Sequence, residues 1–428
     1  MDSPEFTEIR YDRPGVGVAR ITLARPDTRN AQDRKMLYQI NAALDFAMHD
    51  DEVNVVIMAA DGPHYSSGHH LHDQSPIGEH GPPVLGVGGY ELPGAEGYMA
   101  QELEIYLGFC WRWRNLPKPT IAQVQGKVIA GGLMLVWPFD LIVAADNTEF
   151  SDPVVAFGVN GHEFFVHAFE LGHRKAKELL FTGDSIGAAE AKTLGMVNQV
   201  VKLEELERYT LALAEKIAKR PSMGLKLAKM SVNQSLDAQG MWTAVQSAFG
   251  LHHLGHTNSL VKHGIRVEPT GVQMIREGAR PQKVEFGSDA WLALAERTLK
   301  DVVAERRDSI AGEQLTISEV FVDAPTHLCR DGLTEIAWSL QIADGKAVVE
   351  PRERTPADYR MRADYNSTLT GARTVYSLDP AEAATRIESR QQAVADGLMQ
   401  QEGSLDAVSP AMRAVVIELH NRLAVRTA

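Results

Sequence analysis

The sequence predicts an α/β protein in which a large layered domain of alternating strands and helices precedes a smaller α+β domain. Three observations support this. Apolar strand-like runs alternate with helical stripes through the first half of the chain. The 428-residue length exceeds what one small core needs. The apolar periodicity then fades between about Thr257 and Lys283, where Pro269, Gly271, Gly278 and Pro281 fall close together. The expected division is a domain over 1–260, a linker over 261–283 and a second domain over 284–428.

The elements follow in order. Val16 to Leu23 alternates Val16, Val18 and Ile21 with small or polar residues, as a strand ending before Pro26 should. Met36, Leu37, Ile40, Leu44 and Met48 then form one stripe at helical spacing, and Val53 to Ala59 reads as a mostly buried strand. From Gln74 to Gly97 glycine and proline are too frequent for a regular element, so a long loop is expected. Helical periodicity resumes over Met99 to Trp113. Thr120 to Val124 and Leu141 to Ala144 are further strands. In the second domain, Trp291 to Val302 makes a helical stripe. Ile336, Trp338, Leu340 and Ile342 alternate strictly with smaller or polar residues, and Asp344-Gly345 marks a hairpin to Ala347–Val349. Tyr359 to Tyr365 alternates again, and Met412 to Leu423 closes the chain as an amphipathic helix.

Composition excludes several function classes. The formal net charge is −13, and such a surface repels nucleic-acid phosphates and anionic headgroups, so neither a nucleic-acid partner nor membrane insertion is expected. The most apolar run, about Val128 to Phe139, is far below spanning length, and no basic start leads into an apolar stretch. Cys110 and Cys329 cannot supply a disulfide framework, which suits a reducing cytoplasm.

Two glycine-bearing turns end apolar strands: Tyr65-Ser66-Ser67-Gly68-His69-His70, and Gly126-Lys127-Val128-Ile129-Ala130-Gly131-Gly132. Glycine lets backbone approach a ligand closely, and a helix starting there leaves N–H groups unpaired. Two such groups converging on one point make an oxyanion hole. Neither turn matches a complete dinucleotide-binding or P-loop pattern.

The runs ITLARPDTRNA, YSSGHHLHD, PKPTIAQVQGKVIAGGLMLVWPFDLIVAADNTEFSDP and ELLFTGDSIGAAEAKTLGMVNQVV, in that order, resemble the enoyl-CoA hydratase/isomerase (crotonase) superfamily over roughly Phe6 to His256. The resemblance implies a ββα superhelix, an acyl-CoA thioester as partner, and coenzyme A entering only as part of the substrate, with no separate cofactor. It also implies a homo-trimer, or trimers paired into a hexamer. Carried over by position, the oxyanion-hole donors are the N–H groups of His69 and Gly131. CoA is expected along Arg25 to Arg29 and the backbone of Ser66, Ser67 and Gly68, with Gly132 beside it.

The departures from the family pattern matter more. Where hydratases of this superfamily carry two glutamates, this chain has Met134 and Val154, neither of which transfers a proton. His162 and Glu163, in the loop Gly158-Val159-Asn160-Gly161-His162-Glu163, are the leading replacements: a histidine titrating near neutrality and a carboxyl raised by burial. Asp152, before Pro153, is a third candidate. His70 stands where many relatives carry aspartate, suggesting a role in shaping the substrate site.

The histidines form two groups, His64, His69, His70, His72 and His80, and then His252, His253 and His256. A zinc site would need ligands from both, without a supporting carboxylate motif, so no metal is expected. Tyr106, Phe109, Trp111 and Trp113 read as core at helical spacing, with an acyl pocket as the alternative, and the Gln74–Gly97 segment is the candidate specificity lid. The segments SLQIADGKAVVEP and DYRMRADYNSTL resemble the sterol carrier protein 2-like fold. The expected protein is therefore a cytoplasmic acyl-CoA enzyme working through a thioester enolate, with lyase-type hydration of a bulky enoyl-CoA first. Isomerisation, hydrolysis or carbon–carbon cleavage follow, and a non-catalytic CoA-ester or lipid-binding module is the alternative of another class.

Overall fold

The computed structural model describes residues 5–70, 83–263, 265–278, 283–330, 332–376, 390–405 and 408–428. It divides into two compact units, Met1–Thr257 and Asn258–Ala428.

In the first unit the chain opens with a hairpin of β1 (Ile9–Gly15) and β2 (Val18–Leu23). Val16, read from sequence as the first apolar residue of a strand, instead sits at the tip of this hairpin and is 92% exposed. The turn needs a left-handed residue, which Gly17 supplies at φ 75°, and that displaces Val16 from the sheet. The first strand escaped the sequence reading because Arg10, Asp12 and Arg13 interrupt its apolar residues.

Helix α1 (Arg34–His49) starts where the Asp33 side chain accepts the Met36 N–H at 2.9 Å, a standard N-cap bond. It buries Met36, Leu37, Ile40, Ala43, Leu44 and Ala47, and a fully buried Leu or Ile contributes about 1.5–3 kcal/mol. Then come β3 (Val55–Ala60), α2 (Gly94–Glu102), α3 (Phe109–Arg114), β4 (Thr120–Val124), β5 (Lys127–Ile129), β6 (Leu141–Ala145), β7 (Glu149–Ser151), α4 (His167–Thr182), β8 (Ile186–Gly187), α5 (Ala188–Leu194), β9 (Gln199–Val201), α6 (Leu206–Ala218), α7 (Ser222–Ala238) and α8 (Met241–His263).

The main sheet runs β1-β2-β3-β4-β6-β9, parallel beyond the first hairpin, and a small sheet runs β5-β7-β8. Alternation along the strands separates two cores. Ile21, Leu23, Val56 and Met58 join the α1 stripe. Val18, Val55, Ile57 and Ala59 join Leu206 and Ala214 of α6 on the other face.

Residues 71–82, which include His72, His80 and the start of the expected Gln74–Gly97 loop, lie outside the described residues. The loop also ends earlier than expected, because Gly94 and Gly97 fall in α2. The turn of chain from Leu103 to Gly108 is π-helical and joins α2 to α3. The Glu104 carboxylate there accepts the Val84 N–H at 2.6 Å and the Leu85 N–H at 3.1 Å, tethering the described part of the loop.

In the second unit, α9 (Gly271–Glu277) and α10 (Asp289–Glu305) precede β10 (Leu315–Val322), β11 (Glu335–Ala343), β12 (Lys346–Glu350), β13 (Tyr359–Asp364), α11 (Tyr365–Ala372), β14 (Met399–Gly403) and α12 (Pro410–Ala424). Part of the expected linker over 261–283 is helical, since α8 continues to His263 and α9 covers Gly271–Glu277. Gly271 and Gly278, read as breakers, are the first residue and the left-handed C-cap of α9. The sheet order is β12-β11-β10-β13-β14, with only β10 and β13 parallel. Its Ile317, Phe321, Leu340 and Ile342 pack with Leu294 and Leu299 of α10 and Val415 and Leu419 of α12. This is the α+β unit expected from the sequence, with the central strand β10 in addition.

Candidate active site

The two glycine-bearing turns lie side by side. Ser66 and Val128 form a parallel bridge, in which Ser66 donates its N–H to the Lys127 carbonyl at 3.2 Å and its own carbonyl accepts the Ile129 N–H at 3.1 Å. A Cβ on Gly132 would lie 2.8 Å from the Ser66 carbonyl oxygen, so only glycine lets the strands close to this spacing. Ala130 takes a left-handed φ of 48° and turns the chain into a short helix over Ala130–Leu135. The Gly131 N–H falls in its first turn, where helical partners are lacking.

On the other side, the Gly68 carbonyl accepts the Gln32 N–H at 2.8 Å, and the Gln32 carbonyl accepts the His70 N–H at 2.7 Å. The intervening His69 N–H points away from that bridge. Gln32, which the sequence reading missed, ties the turns together: its Nε2 donates to the Gly131 carbonyl at 2.7 Å and to Ser66 Oγ at 3.2 Å. Ser66 Oγ in turn donates to the Asn30 carbonyl at 2.8 Å. No sequence signal distinguishes Gln32 from an ordinary polar residue before a helix.

The His69 ring extends the site. It stacks on Tyr106 with centroids 4.0 Å apart, and a Cβ on Gly131 would meet its atoms at 2.6–3.0 Å, so ring and Gly131 are in close contact. Its Nε2–H donates to the Glu163 carboxylate at 3.1 Å. Burial acts to raise the Glu163 carboxyl, but the charge and hydrogen bond of His69, with His252 nearby, hold it well below its usual range. This corrects the expectation of a raised carboxyl. Burial acts to lower His69, and the Glu163 carboxylate more than offsets it, leaving the imidazole raised. The pair is an ion pair beside the two glycine turns.

The Glu163 loop is clamped by α8. Asn160 Nδ2 donates to the Ala248 carbonyl at 3.1 Å, and His252 Nδ1–H donates to the Gly161 carbonyl at 2.8 Å. A Cβ on Gly255 would lie 2.5 Å from the Gly158 carbonyl oxygen, so helix and loop are in backbone contact.

His162 points elsewhere and does not titrate near neutrality. Burial and the neighbouring His167 push it down to about 3, so it is a neutral ring packed on Trp137 at 5.1 Å. Asp152 is fully buried, and one of its oxygens accepts both the His162 backbone N–H at 2.9 Å and His167 Nε2–H at 2.8 Å. Burial opposes its ionisation, but these hydrogen bonds and the His167 charge hold it below its usual range. Asp152 thus anchors the turn carrying Glu163. Asp152→Ala is expected to destabilise the fold by about 3–5 kcal/mol, as removing one partner of a buried pair does. Chemical denaturation measures this, and a loss below about 1 kcal/mol would contradict the anchoring role.

The remaining expected residues are placed as follows. Arg25 is held by Glu8 at 3.0 Å and by Asp33, so its charge is balanced within the fold. Arg29 is exposed, and its carbonyl accepts the Ser67 N–H at 3.0 Å. Met134 is buried and Val154 half-buried. Of the aromatic residues, Phe109 and Trp113 are core, Trp111 packs on Trp242 of α8 at 4.1 Å, and Tyr106 reaches the site.

The family model for enoyl-CoA hydratase/isomerase matches residues 101–273. EchA13 of Mycobacterium tuberculosis, which carries an enoyl-CoA hydratase designation, is 46% identical over 261 residues, covering 59% of this chain and 82% of that protein. A Mycobacterium smegmatis crystal structure with the same designation is 44% identical, with a TM-score of 0.56, covering 61% of this chain and 100% of the other. An enoyl-CoA hydratase/isomerase structure from Xanthobacter autotrophicus Py2 is 29% identical, with a TM-score of 0.54, covering 64% and 100%.

Proposed function

The chain belongs to the enoyl-CoA hydratase/isomerase family, and from that membership we propose that it hydrates an enoyl-CoA with the Glu163–His69 pair in place of the two glutamates absent at Met134 and Val154. The single supporting observation is the continuous contact from Gly131 through the His69 ring to the Glu163 carboxylate. The N–H groups of His69 and Gly131 hold the thioester oxygen. As water oxygen bonds to the β-carbon, the carbon–carbon π electrons move toward the carbonyl, and negative charge develops on that oxygen. Glu163 takes the proton from water, and His69 or the carboxylic acid so formed returns one to the α-carbon.

The runner-up is isomerisation, favoured by the same observation, because one coupled pair suits removing a proton from one carbon and returning it to another. Incubation with linear, aromatic and polycyclic enoyl-CoA esters in heavy-oxygen water separates the two. Hydration predicts a product heavier by one labelled water. Isomerised thioester without label supports the second reading, and neither product nor α-deuterium exchange in heavy water rejects both in favour of a binding module.

The rest of the expected setting belongs to the same proposal. A bulky acyl group is suggested by the long segment reaching α2, and short linear esters turning over fastest would remove that part. A trimer or hexamer is supported by exposed Met223, Leu227, Met230 and Val232 on α7, which sedimentation tests. The free cysteines fit a reducing cytoplasm, where the acyl-CoA would be met in solution. Among the described residues no helix is long and apolar enough to cross a membrane. A sterol carrier protein 2-like role for the second unit rests on its α+β order and the Asp344-Gly345 hairpin.

A further inference from the structure

The geometry points to a divalent transition-metal site of the zinc class made by Glu102, His252 and His256. The three potential ligand atoms lie within 4.8 Å of one another, and the residues are 3%, 3% and 6% exposed. They come from distant parts of the chain, the last residue of α2 and successive turns of α8, where an i, i+4 spacing puts both imidazoles on one face.

Orientation of the donors favours a cation. His252 Nδ1–H is spent on the Gly161 carbonyl, which fixes the ring and turns the Nε2 lone pair inward, the arrangement that outer hydrogen bonds give metal-bound histidines. His256 Nε2 shares a 2.9 Å hydrogen bond with that atom, which a bound ion would replace, and the Glu102 oxygens lie 3.8 Å and 3.9 Å from the two nitrogens. Ligands bound at about 2.0–2.1 Å around one tetrahedral ion are separated by roughly these distances after small side-chain shifts.

The second observation is an unsatisfied charge. Glu102 Oε2 is buried without a hydrogen-bond partner, although His253 Nε2 approaches to 3.2 Å, and His253 Nε2 also lacks one. A buried carboxylate oxygen so placed is costly unless a cation balances it. In the other buried cluster, Asp152 with His162 and His167, Asp152 Oδ1 likewise has no partner, but Oδ2 accepts both His167 Nε2–H and the His162 backbone N–H, so that carboxylate is tied into the fold by two hydrogen bonds. Two imidazoles and a carboxylate suit zinc and its neighbours better than magnesium or calcium, which prefer oxygen. Three protein ligands leave a fourth position, and Glu163 Oε1, 3.6 Å from His252 Nε2, is the nearest described carboxylate to fill or face it.

The test reads metal binding itself, without substrate, so its outcome is separate from that of the proposed reaction. Chelator-treated full-length protein is titrated with zinc chloride by calorimetry and with cobalt chloride by visible absorption. One equivalent per chain is expected, with the ligand-field bands of four-coordinate cobalt. Glu102→Gln, which keeps the side-chain volume, and His256→Ala should each weaken binding by more than the about 10- to 100-fold typical of outer-shell changes. His327→Ala, which removes an exposed histidine paired with Glu285, should leave it unchanged. Circular dichroism establishes that each variant is folded, and Glu102→Gln serves if His256→Ala is not. Absence of stoichiometric binding, or binding insensitive to Glu102→Gln in folded protein, overturns the site.

Discussion

Gly131→Ala is expected to lower turnover of an enoyl-CoA ester by about 100- to 1000-fold, the range associated with losing one oxyanion-hole donor. The added Cβ would lie 2.6–3.0 Å from three atoms of the His69 ring, too close for that ring to remain in place. The ring can yield, but only by leaving Tyr106 and breaking its 3.1 Å bond to Glu163. One methyl group therefore disturbs both the N–H donor and the acid–base pair, while the strands beneath, held by Gln32 and the Ser66–Val128 bridge, stay paired. The measurement is kcat alongside thermal denaturation. A folded variant with unchanged kcat would remove Gly131 from the site.

Glu163→Gln is expected to cost about 100- to 10,000-fold in kcat with a small change in KM, because the amide keeps the shape and the acceptor oxygen but is too weak a base to take a proton from water. Loss of α-deuterium exchange in step with turnover is the matching readout. The same fall in both would tie Glu163 to the chemical step, whereas intact exchange would confine it to holding His69. His162→Ala is the informative companion, since that ring is neutral, faces Trp137 and lies in the Asp152 cluster: it should reduce stability more than it reduces kcat in folded protein.

The sequence made the layered fold and the two glycine turns legible because both rest on local signals: the spacing of apolar residues, and glycine where backbone must approach backbone. Helix α1 and strand β11 follow their apolar spacing almost residue for residue. Strand β1 did not, because a hairpin edge with one face in solvent carries charges at alternate positions. The roles of the loop residues were harder to read. His162 and Glu163 are adjacent in sequence yet point into different surroundings, one toward Trp137 and one toward His69, and alternation along the backbone decides which. Glu102 and Gln32 carried no mark at all. Each becomes significant only through partners more than thirty residues away, Ser66 and Gly131 for Gln32 and the α8 histidines for Glu102, and a single sequence does not encode that proximity in any local pattern.

The clamp between α8 and the Gly158–Glu163 loop gives the site an order of assembly. Both glycine turns and Gln32 lie within the first 135 residues, so during synthesis the proposed oxyanion-binding framework has all its parts early. The loop emerges next, but Ala248, His252 and Gly255, the residues that hold it, appear about ninety residues later. On the proposed mechanism, a nascent chain stalled between these points would hold a thioester oxygen without a fixed group to take the proton from water. If the proposed chemistry holds, competence to react arrives with the last helix of the first unit, before most of the second unit is made, so a chain that stops short of that helix would be a binder before it is a catalyst.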